Sequence, residues 1–544
     1  MAEHSRFLPW VLTGLGIIVF LPVSWLLSAI CLGLFILGWH DYRQNRHAIL
    51  RNYPVSGHLR FVLEYIRPEI RQYFLESDEE KLPFSRNQRA MVYSRAKKMN
   101  DKRGFGTIKS VYEATSEWIG HSSVPRHADP KTFRVRIGGP RCTQPYDASI
   151  CNISAMSFGS LSPNAIRALN RGAQMGGFAH DTGEGSISAY HREHGGDLIW
   201  EIGSGYFGCR TPAGRFDADK FAEQAQSPQV KMIEIKLSQG AKPGHGGVLP
   251  AAKVTAEIAA TRGVPLGQDC ISPAAHSEFS TPLELMGFIQ HLRERSGGKP
   301  VGFKLCIGQP WEWFGMVKAM LESDIYPDFI VVDGSEGGTG AAPVEFSDHV
   351  GMPMREGLRL VHNTLVGIGK RDLVRIGVSG KIISAFDIAR ALALGADWCN
   401  SARGFMFALG CIQSRSCHTD HCPTGVATQD PHRQRALVVT DKAERVKNFQ
   451  AMTVEVLAEL VGAAGLERPG DITPDHIMVR NAASTAVPLS SMLPTVPAGA
   501  LLDEAQLASL PEPFCSQWTL ASAVSFERLN QKCKVNDAVS LLPT

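Results

Sequence analysis

Residues 374–404 have the sequence VRIGVSGKIISAFDIARALALGADWCNSARG. Two strand candidates, Val374–Val378 and Asp397–Ser401, flank a segment, Ala385–Leu394, whose apolar side chains recur at helical spacing. Parallel strands need a long crossover connection, which is usually a helix. The stretch therefore predicts a strand–helix–strand unit of an α/β domain with a parallel sheet.

The same alternation begins near residue 148 and continues to this stretch. The strand candidates are Ile150–Ala155, Gly177–Asp181, Lys231–Leu237, Leu266–Cys270, Val301–Cys306, Phe329–Val332, Val374–Val378 and Asp397–Ser401. The helical segments between them include Asn164–Met175, Pro282–Ser296, Trp311–Ser323 and Ala385–Leu394. Eight strand–helix units over roughly 260 residues predict a (β/α)8 barrel, or TIM barrel, with a doubly wound open sheet as the alternative.

The reactive groups of such a barrel lie on the loops that follow its strands. Glu184 follows the second predicted strand, either as a proton carrier or substrate contact, or as a solvated loop carboxylate. Lys304 lies within a predicted apolar strand, where a lysine needs a partner. That partner is either the N1–O2 edge of a flavin, which gains negative charge on reduction, or the carboxylate of Glu234 or Asp333.

The last two loops of a barrel commonly bind a phosphate group. Here they contain Ser379-Gly380-Lys381 and Arg403-Gly404. Gly380 and Gly404 allow the backbone to approach a ligand closely. The phosphate of flavin mononucleotide (FMN) fits this position and size, and ordinary tight turns are the alternative.

Two cations are candidates for binding the carboxylates of a substrate. They are Lys242 and Arg262, and a guanidinium can hold a carboxylate through two parallel hydrogen bonds. Arg262 directly precedes Gly263, so a stabilising charge at a helix C-terminus is an equally simple interpretation of that residue.

Three cysteines lie within the stretch 410–423, GCIQSRSCHTDHCP, as Cys411, Cys417 and Cys422. Thiolates this close in a reducing compartment suggest a metal site, and soft thiolates suit iron–sulfur clusters or zinc. A cubane cluster usually has four protein ligands, one more than these three cysteines supply. The site therefore favours a three-iron cluster, or a fourth ligand from elsewhere. His418 and His421 keep zinc possible. Unconnected buried cysteines are the remaining alternative.

Several motifs resemble the FMN-binding synthase domain of glutamate synthases. They are Met156-Ser157-Phe158-Gly159, Thr182-Gly183-Glu184-Gly185, Gln239-Gly240-Ala241-Lys242-Pro243-Gly244, Gly337-Gly338-Thr339-Gly340-Ala341 and the cysteine loop with its flank Pro423-Thr424-Gly425. The region covered is Cys151 to about Pro431, and the chain most resembles the stand-alone, membrane-anchored members of the FMN-binding glutamate synthase family.

This resemblance implies two cofactors and a substrate site. A [3Fe-4S] cluster would be held by Cys411, Cys417 and Cys422, and 2-oxoglutarate would lie near Gln239, Lys242 and Arg262. The residues implied around FMN are Met156, Ser157, Lys304, Gly338, Ser379, Gly380, Lys381, Arg403 and Gly404.

The chain also departs from the family pattern. Position 2 is Ala2, so we expect no N-terminal cysteine nucleophile for glutamine hydrolysis, and too little chain follows the barrel for a C-terminal β-helix domain. His245 and Val248 stand where the family usually has Glu and Gln. These two changes put the substrate in doubt rather than the cofactors.

The N-terminal segment is apolar. Residues 7–39 contain no charged side chain, and about 20 apolar residues suffice to cross a bilayer. Leu21-Pro22-Val23-Ser24 predicts either a kink in one span or the turn of a two-span hairpin, and a buried core helix is the alternative. Arg43, Arg46 and Arg51 follow this segment, so the positive-inside bias predicts an inner-membrane protein with its catalytic domain in the cytoplasm.

The composition of the chain limits its possible partners and its compartment. The 544 residues have a net charge of +3 and no basic run with interleaved aromatics, so we expect no nucleic-acid partner. Twelve cysteines without regular pairing agree with a reducing compartment. The predicted domains are an anchor over 1–45, a polar helical linker over 46–145, the FMN-binding barrel over 146–435, and a C-terminal helix and irregular tail over 436–544.

The predicted function follows from the barrel, the cysteine loop and the resemblance. It is reduction of an imine, formed from 2-oxoglutarate or a similar 2-oxo acid and ammonia, to an amino acid. An external donor, either ferredoxin or a reductase subunit, is expected to supply the electrons. The alternatives are glutamate-dependent amine transfer, as in N-methylglutamate synthase, a membrane electron-transfer subunit without its own substrate, and a zinc-bearing barrel without redox chemistry.

Overall fold

The computed structural model describes residues 5–80, 83–99, 101–482 and 485–529. Ala2 lies outside these ranges. Internal contacts divide the chain into two compact units, Met1–Asn87 and Gln88–Thr544. Each unit is described separately below.

A helical hairpin begins the first unit. It consists of α1 (Leu8–Phe20) and α2 (Trp25–Arg43), joined by a short turn over residues 21–24, which is one of the two alternatives that the sequence left open there. Trp10 Nε1 donates a hydrogen bond to the Phe35 carbonyl oxygen at 3.0 Å, and the Trp10 ring lies where a Cβ on Gly38 would collide with it. The two helices therefore pack against each other along the side that carries small residues.

Most of the other apolar side chains of the hairpin face outward within this unit. Ile18 is 72% exposed and Trp25 is 76% exposed. Among the described residues, only α2 is both long and apolar enough, by length and composition, to cross a bilayer, and α1 is apolar but shorter. The unit continues with α3 (Ala48–Asn52) and α4 (Gly57–Ile70), which runs into a π-helical turn at Arg71–Leu75.

A closed barrel of eight parallel strands forms the centre of the second unit. The strands are β1 (Cys151–Ile153), β2 (His180–Asp181), β3 (Leu198–Ile202), β4 (Val230–Lys236), β5 (Val301–Leu305), β6 (Phe329–Asp333), β7 (Arg375–Ser379) and β8 (Trp398–Ser401). β8 pairs with β1 to close the barrel, with Cys399 opposite Cys151. The predicted TIM-barrel class is thus confirmed, and the open sheet is excluded.

One predicted strand is wrong. Leu266–Cys270 is not in the barrel: only Cys270–Ile271 is extended, and it pairs antiparallel with Val248–Leu249. The missing strand is β3, which sequence analysis did not recognise. Its run Leu-Ile-Trp-Glu-Ile carries a charge, Glu201, in the middle, and that charge is tolerated inside the barrel because a lysine faces it.

The helices around the barrel follow the predictions closely. They include Pro163–Gly176, Pro282–Arg295, Pro310–Ser323 and Ala385–Ala393. The long helix Val439–Ala463 packs on Pro163–Gly176, and Gly172 makes this approach possible because a Cβ there would lie 2.5 Å from Val446 Cγ1. The C-terminal helix that the sequence predicts after the barrel therefore packs against the helices around the barrel.

Segments before and after the barrel join in one small sheet. Ile477–Arg480 pairs antiparallel with Glu117–Ile119 on one side and with Ala486–Pro488 on the other. Another helix that precedes the barrel, α5 (Arg86–Ala96), is buried through Val92 and Ala96. The barrel is consequently braced by chain from both of its flanks.

Candidate active site

A buried charge cluster occupies the interior of the barrel. The Lys304 ammonium on β5 contacts the Glu201 carboxylate on β3 and lies 3.3 Å from Glu234 Oε1 on β4. Asp181 on β2 adds a third carboxylate, whose oxygen lies within 4.8 Å of one oxygen on each of the two glutamates. The predicted ion pair of Lys304 with Glu234 is present, and Glu201 is a partner that the sequence did not indicate. Contact between Lys304 and a flavin stays a prediction.

Burial and mutual attraction oppose each other in this cluster. Burial raises the pKa of Asp181 to about 7 and the pKa of Glu234 well above its ordinary value, although Lys304 pulls both down. For Lys304 burial acts to lower the pKa, but the carboxylates of Glu201, Glu234 and Asp181 outweigh it and raise the pKa. One ammonium faces three carboxylates, so we infer that the cluster retains at least one carboxyl proton near neutral pH.

Asp181→Asn is expected to remove part of the pH dependence of stability. Burial raises the pKa of Asp181 from its ordinary value of 3.8 to about 7 in the folded protein, so the folded state binds more protons than the unfolded state between those pH values. Stability in the wild type should therefore fall as pH rises from about 4 to 7, with up to about 1.4 kcal/mol per pH unit from this group. Urea unfolding at several pH values would measure the change in slope, and an unchanged slope would contradict the assignment.

A second ionic group lies at the C-terminal end of β4. Lys236 Nζ is 3.0 Å from Glu184 Oε2. Burial acts to raise the pKa of Glu184, but Lys236, Arg262 and Lys242 outweigh it and lower the pKa, so Glu184 is ionised at neutral pH. The predicted residues Glu184, Lys242 and Arg262 thus come together. Lys236 was missed, although its position at the end of a predicted strand was a usable signal.

The two predicted substrate cations are both buried. Lys242 Nζ donates to the Ala341 carbonyl oxygen at 3.2 Å, and burial lowers the pKa of Lys242 to about 8. Arg262 Nη2 donates to the Phe158 carbonyl oxygen at 2.8 Å, while Arg262 Nε has no hydrogen-bond partner among the described residues. Arg262 therefore points into the protein, which argues against a role limited to the helix C-terminus. An unpartnered buried guanidinium N–H suits an anionic ligand.

Loops from several strands meet above this group. A Cβ on Gly183 would lie 2.6 Å from the Ser157 backbone nitrogen, which brings the loops after β1 and β2 together beside Met156. Gly240, next to Gln239, donates its N–H to Asp333 Oδ2 at 2.8 Å. A Cβ on Gly240 would lie 1.8 Å from the Gly334 carbonyl oxygen, so this contact requires glycine.

The predicted phosphate residues also converge. A Cβ on Gly338 would lie 2.9 Å from Arg403 Nη1, and Arg403 Nη2 donates to the Glu336 carbonyl oxygen at 2.6 Å. Ser379 Oγ donates to Asp333, while Lys381 has a positive φ of 50° in the turn that follows Gly380. Gly404 starts the first turn of the helix Arg403–Leu409, where a Cβ would lie 2.5 Å from Ser401 Oγ.

This convergence permits binding of a phosphate. Arg403 supplies a half-buried cation, and burial lowers its pKa to about 10, so it remains charged at neutral pH. The Glu336 carboxylate lies in the same place, because a Cβ on Gly380 would be 3.2 Å from Glu336 Oε1. A bound anion would therefore need the Glu336 carboxylate to turn away.

The cysteine loop carries donors that suit thiolate ligands. Gln413 donates its N–H to Cys411 Sγ at 3.4 Å. For Cys422 burial acts to raise the pKa, but hydrogen bonds from the backbone of Ala427, Thr424 and Val426 and from the Thr424 hydroxyl outweigh it and lower the pKa. Hydrogen bonds of this kind stabilise sulfur ligands and tune the potential of iron–sulfur clusters.

Spacing of the three thiols bears on which metal they suit. Within the described ranges, the one group of three ligand-type side chains with ligand atoms converging within 4.8 Å is the barrel cluster of Asp181, Glu201 and Glu234. The three cysteines are therefore wider apart than a single tetrahedral zinc ion requires, since sulfur atoms around zinc lie about 3.8 Å from one another. Wider spacing is compatible with a larger cluster.

A helix outside the barrel covers part of this loop. Tyr93 on α5 donates its hydroxyl hydrogen to the Cys411 carbonyl oxygen at 2.6 Å, and its ring meets the Phe407 ring edge-on with centroids 6.2 Å apart. On the other side, the buried Lys253 Nζ donates to the Cys417 carbonyl oxygen at 2.9 Å. Two predicted ligands therefore have their backbone held by distant side chains: Cys411 by Tyr93, 318 residues away, and Cys417 by Lys253, 164 residues away.

Tyr93→Phe is expected to loosen the cysteine loop without unfolding the protein. Loss of one hydrogen bond at an otherwise packed ring should cost about 1 kcal/mol. Cys411 in metal-free protein should then react several-fold faster with iodoacetamide, as measured by peptide mass spectrometry. Tyr112→Phe is the control, since Tyr112 is exposed, and an unchanged rate in Tyr93→Phe would contradict a positioning role.

Fold and site together define a (β/α)8-barrel enzyme with an ionised carboxylate among cations at its mouth and a three-thiol loop beside it. Residues 144–467 match the model of the conserved region in glutamate synthase. The chain is 37% identical to the glutamate synthase large subunit-like protein YerD of Bacillus subtilis, across 88% of this chain and 98% of that protein. The chain therefore belongs to the glutamate synthase family and is a glutamate synthase-like oxidoreductase.

Other relatives match over a smaller part of the chain. The chain is 36% identical to the archaeal-type glutamate synthase [NADPH] of Thermotoga neapolitana over 316 residues, which are 58% of this chain and 59% of that protein. Among solved structures, mandelate oxidase with (S)-4-hydroxymandelic acid is 16% identical with a TM-score of 0.41, covering 71% of this chain and 88% of that one. That likeness is too distant to support a conclusion about function.

Proposed function

We propose that this protein reduces the imine of a 2-oxo acid, 2-oxoglutarate or a close analogue, to an amino acid. The observation that carries the proposal is the ionised Glu184 held beside Lys236, with Lys242 and Arg262 close by. Three cations around one carboxylate leave a positive surplus that suits a dicarboxylate. The family relationship supports the same class of substrate.

The residues of the barrel mouth fit a bound flavin mononucleotide, and those of the cysteine loop fit a [3Fe-4S] cluster. Met156, Ser157, Gly338, Ser379, Gly380, Lys381, Arg403 and Gly404 would hold the flavin, and Cys411, Cys417 and Cys422 would hold the cluster. When bound, these groups supply a hydride at the flavin and single-electron entry at the cluster. An external donor, either a ferredoxin or a reductase subunit, would supply the electrons.

The side chains at the mouth then have separate tasks. Arg262 and Lys242 bind the two carboxylates of the 2-oxo acid and orient its C2 atom. Lys236 holds a proton at the imine nitrogen, because Glu184 is kept ionised and cannot donate one. Glu184 in turn holds the Lys236 ammonium in position, which is a more specific role than the proton carrier predicted from sequence.

The amine is less defined than the 2-oxo acid. His245 packs its ring edge-on against Phe346 with centroids 5.3 Å apart, and its Nδ1 lies 3.0 Å from the Gly246 carbonyl oxygen. An aromatic surface at this position would suit a substituted amine as well as ammonia. Glutamate-dependent amine transfer, as in N-methylglutamate synthase, is therefore the second candidate.

We also propose that the hairpin of α1 and α2 anchors the protein in the inner, or cytoplasmic, membrane. Its exposed apolar side chains support this, as do Arg43, Arg46 and Arg51 just beyond it. The catalytic unit would face the cytoplasm. Because the hairpin returns on itself, the N-terminus would lie on the same side.

An anaerobic preparation of the full chain tests the proposed reaction. Flavin, iron and sulfide are quantified, the protein is reduced with dithionite, and reoxidation is followed by absorbance. We expect reoxidation by 2-oxoglutarate with ammonia or methylamine, and Arg262→Lys should weaken the response to 2-oxoglutarate. Cofactors that are reduced but reoxidised by no 2-oxo acid and amine would instead favour an electron-transfer subunit, and zinc without iron would favour a non-redox barrel.

A further inference from the structure

α4 and the π-helical turn after it form an exposed amphipathic segment, Gly57–Leu75. Leu59, Leu63, Ile66 and Ile70 recur at helical spacing on one face, and none of them is buried within the first unit. Leu63 is 51% exposed, and Phe74 at the end of the segment is 83% exposed. A soluble domain seldom leaves an apolar stripe of this length uncovered, so something must cover it.

A groove runs along one side of this stripe. It has a volume of about 840 Å³, and its apolar part is formed by Leu59, Leu63, Ile70 and Leu75. The rim carries Arg60, Arg67 and Arg71 on one flank of the helix, with Glu64 among them and Glu80 also at the rim, so three positive charges face two negative ones. Arg71 pairs with Glu80 at 2.5 Å, whereas Arg60 lies 4.0 Å from Glu64, and all four are solvent-accessible. An apolar floor beneath three guanidiniums suits an anionic amphiphile.

The segment is fixed to one end of the hairpin. Asp41, in the last turn of α2, is 1% exposed and accepts hydrogen bonds from Val55 N at 3.0 Å and from His58 Nε2 at 2.9 Å. His58 lies in the first turn of α4. The beginning of α4 therefore lies at the level where α2 ends, and not at the closed turn of the hairpin.

That end of the hairpin has the composition of a membrane interface. The Trp10 ring stacks on the Tyr42 ring, with centroids 5.8 Å apart. The centroids of the Trp10 and Trp39 rings are 6.1 Å apart. The Arg43 guanidinium carbon, Cζ, lies over the Trp39 ring, 5.7 Å from the ring centroid. Tryptophan, tyrosine and arginine at one end of an apolar helix mark the depth of lipid headgroups. Since Asp41 ties α4 to this same end, α4 begins at headgroup depth.

We propose that Gly57–Leu75 lies in the plane of the membrane interface, with its apolar stripe toward the acyl chains and its arginine-rimmed groove on anionic phospholipid headgroups. This inference rests on the proposed membrane anchoring by the hairpin. The occupant is the lipid surface, and neither a second copy of the chain nor another protein is required.

Photo-cross-linking in proteoliposomes tests this proposal with the full chain. p-Benzoylphenylalanine replaces Leu63 on the stripe, Pro68 on the exposed opposite side of the helix, or Ile18 in the hairpin. Vesicles contain phosphatidylcholine alone or with phosphatidylglycerol. We expect lipid adducts at positions 63 and 18, at least about ten-fold fewer at position 68, and more at position 63 when phosphatidylglycerol is present.

The other possible patterns of cross-linking would each overturn the proposal in a different way. Adducts at position 18 without adducts at position 63 would overturn the interfacial segment and leave the anchor intact. No lipid adduct at either position would overturn both. Cross-links from position 63 to a second copy of the chain would show that dimer formation covers the stripe, which also overturns the proposal.

Discussion

Lys304→Met is expected to lower the free energy of unfolding by about 3–5 kcal/mol, because it leaves buried carboxylates without their counter-charge. Lys304 is 3% exposed and faces Glu201, Glu234 and Asp181 inside the barrel. The loss should shrink at low pH, since protonation of those carboxyls removes their mutual repulsion. Urea unfolding at pH 7.5 and pH 5 measures both effects.

Lys231→Met is the matched control. Lys231 is the second residue of β4, and its Nζ lies 3.6 Å from Asp197 Oδ1. Both side chains of that ion pair are about one-third exposed. Its removal should cost less than about 1 kcal/mol. Equal losses in the two variants would mean that the barrel cluster is not charged as we infer. Partial recovery on adding Glu201→Gln to Lys304→Met would support the charge explanation over simple loss of packing.

Cys417→Ser is expected to abolish cluster assembly and to lower turnover with an external electron donor by at least about 100-fold, equivalent to about 2.7 kcal/mol. A serine oxygen is a harder and poorer ligand for iron than a thiolate. Flavin content and the fold should be retained, because Cys417 lies on the loop after the barrel helices and not in a strand. Iron and sulfide analysis and the low-temperature EPR spectrum provide readouts that do not depend on turnover.

Cys142→Ser is the control for thiol chemistry in general. The Cys142 thiol donates to the Gly298 carbonyl oxygen at 3.3 Å, a bond that a serine hydroxyl can replace, and it is remote in sequence from the cysteine loop. This variant should keep its iron. If Cys417→Ser also kept a full complement of iron and sulfide, the three-thiol site would not be the cluster ligand set.

Most barrel strands were recognised in the sequence, including β4 and β5, which contain charged residues, but β3 was not. β6 and β7 each carry a short apolar run that ends just before a glycine, so composition marks both the strand and its end. β3 contains Glu201, which only makes sense beside Lys304, a residue 103 positions further along the chain. Because the strand was missed, the strongest partner of Lys304 was missed with it.

The residues of the candidate site were also predicted only in part. Glu184, Lys242 and Arg262 were singled out separately in the sequence, and the structure brings them together. Lys236 and Tyr93 escaped detection for different reasons. Lys236 needed the exact end of a strand, whereas Tyr93 meets the cysteine loop across 318 residues in a segment without any motif. Long-range contacts of this kind carry no local sequence signal.

The small sheet that unites Glu117–Ile119 with Ile477–Arg480 has a consequence for biosynthesis. Its first strand leaves the ribosome some 358 residues before its partner, which takes roughly 20–70 s at ordinary rates of translation. The apolar hairpin has already emerged when that interval begins, while the barrel cannot close until β8 has been made, because β1 pairs with β8. We therefore expect the proposed membrane insertion of the hairpin to precede completion of the second unit.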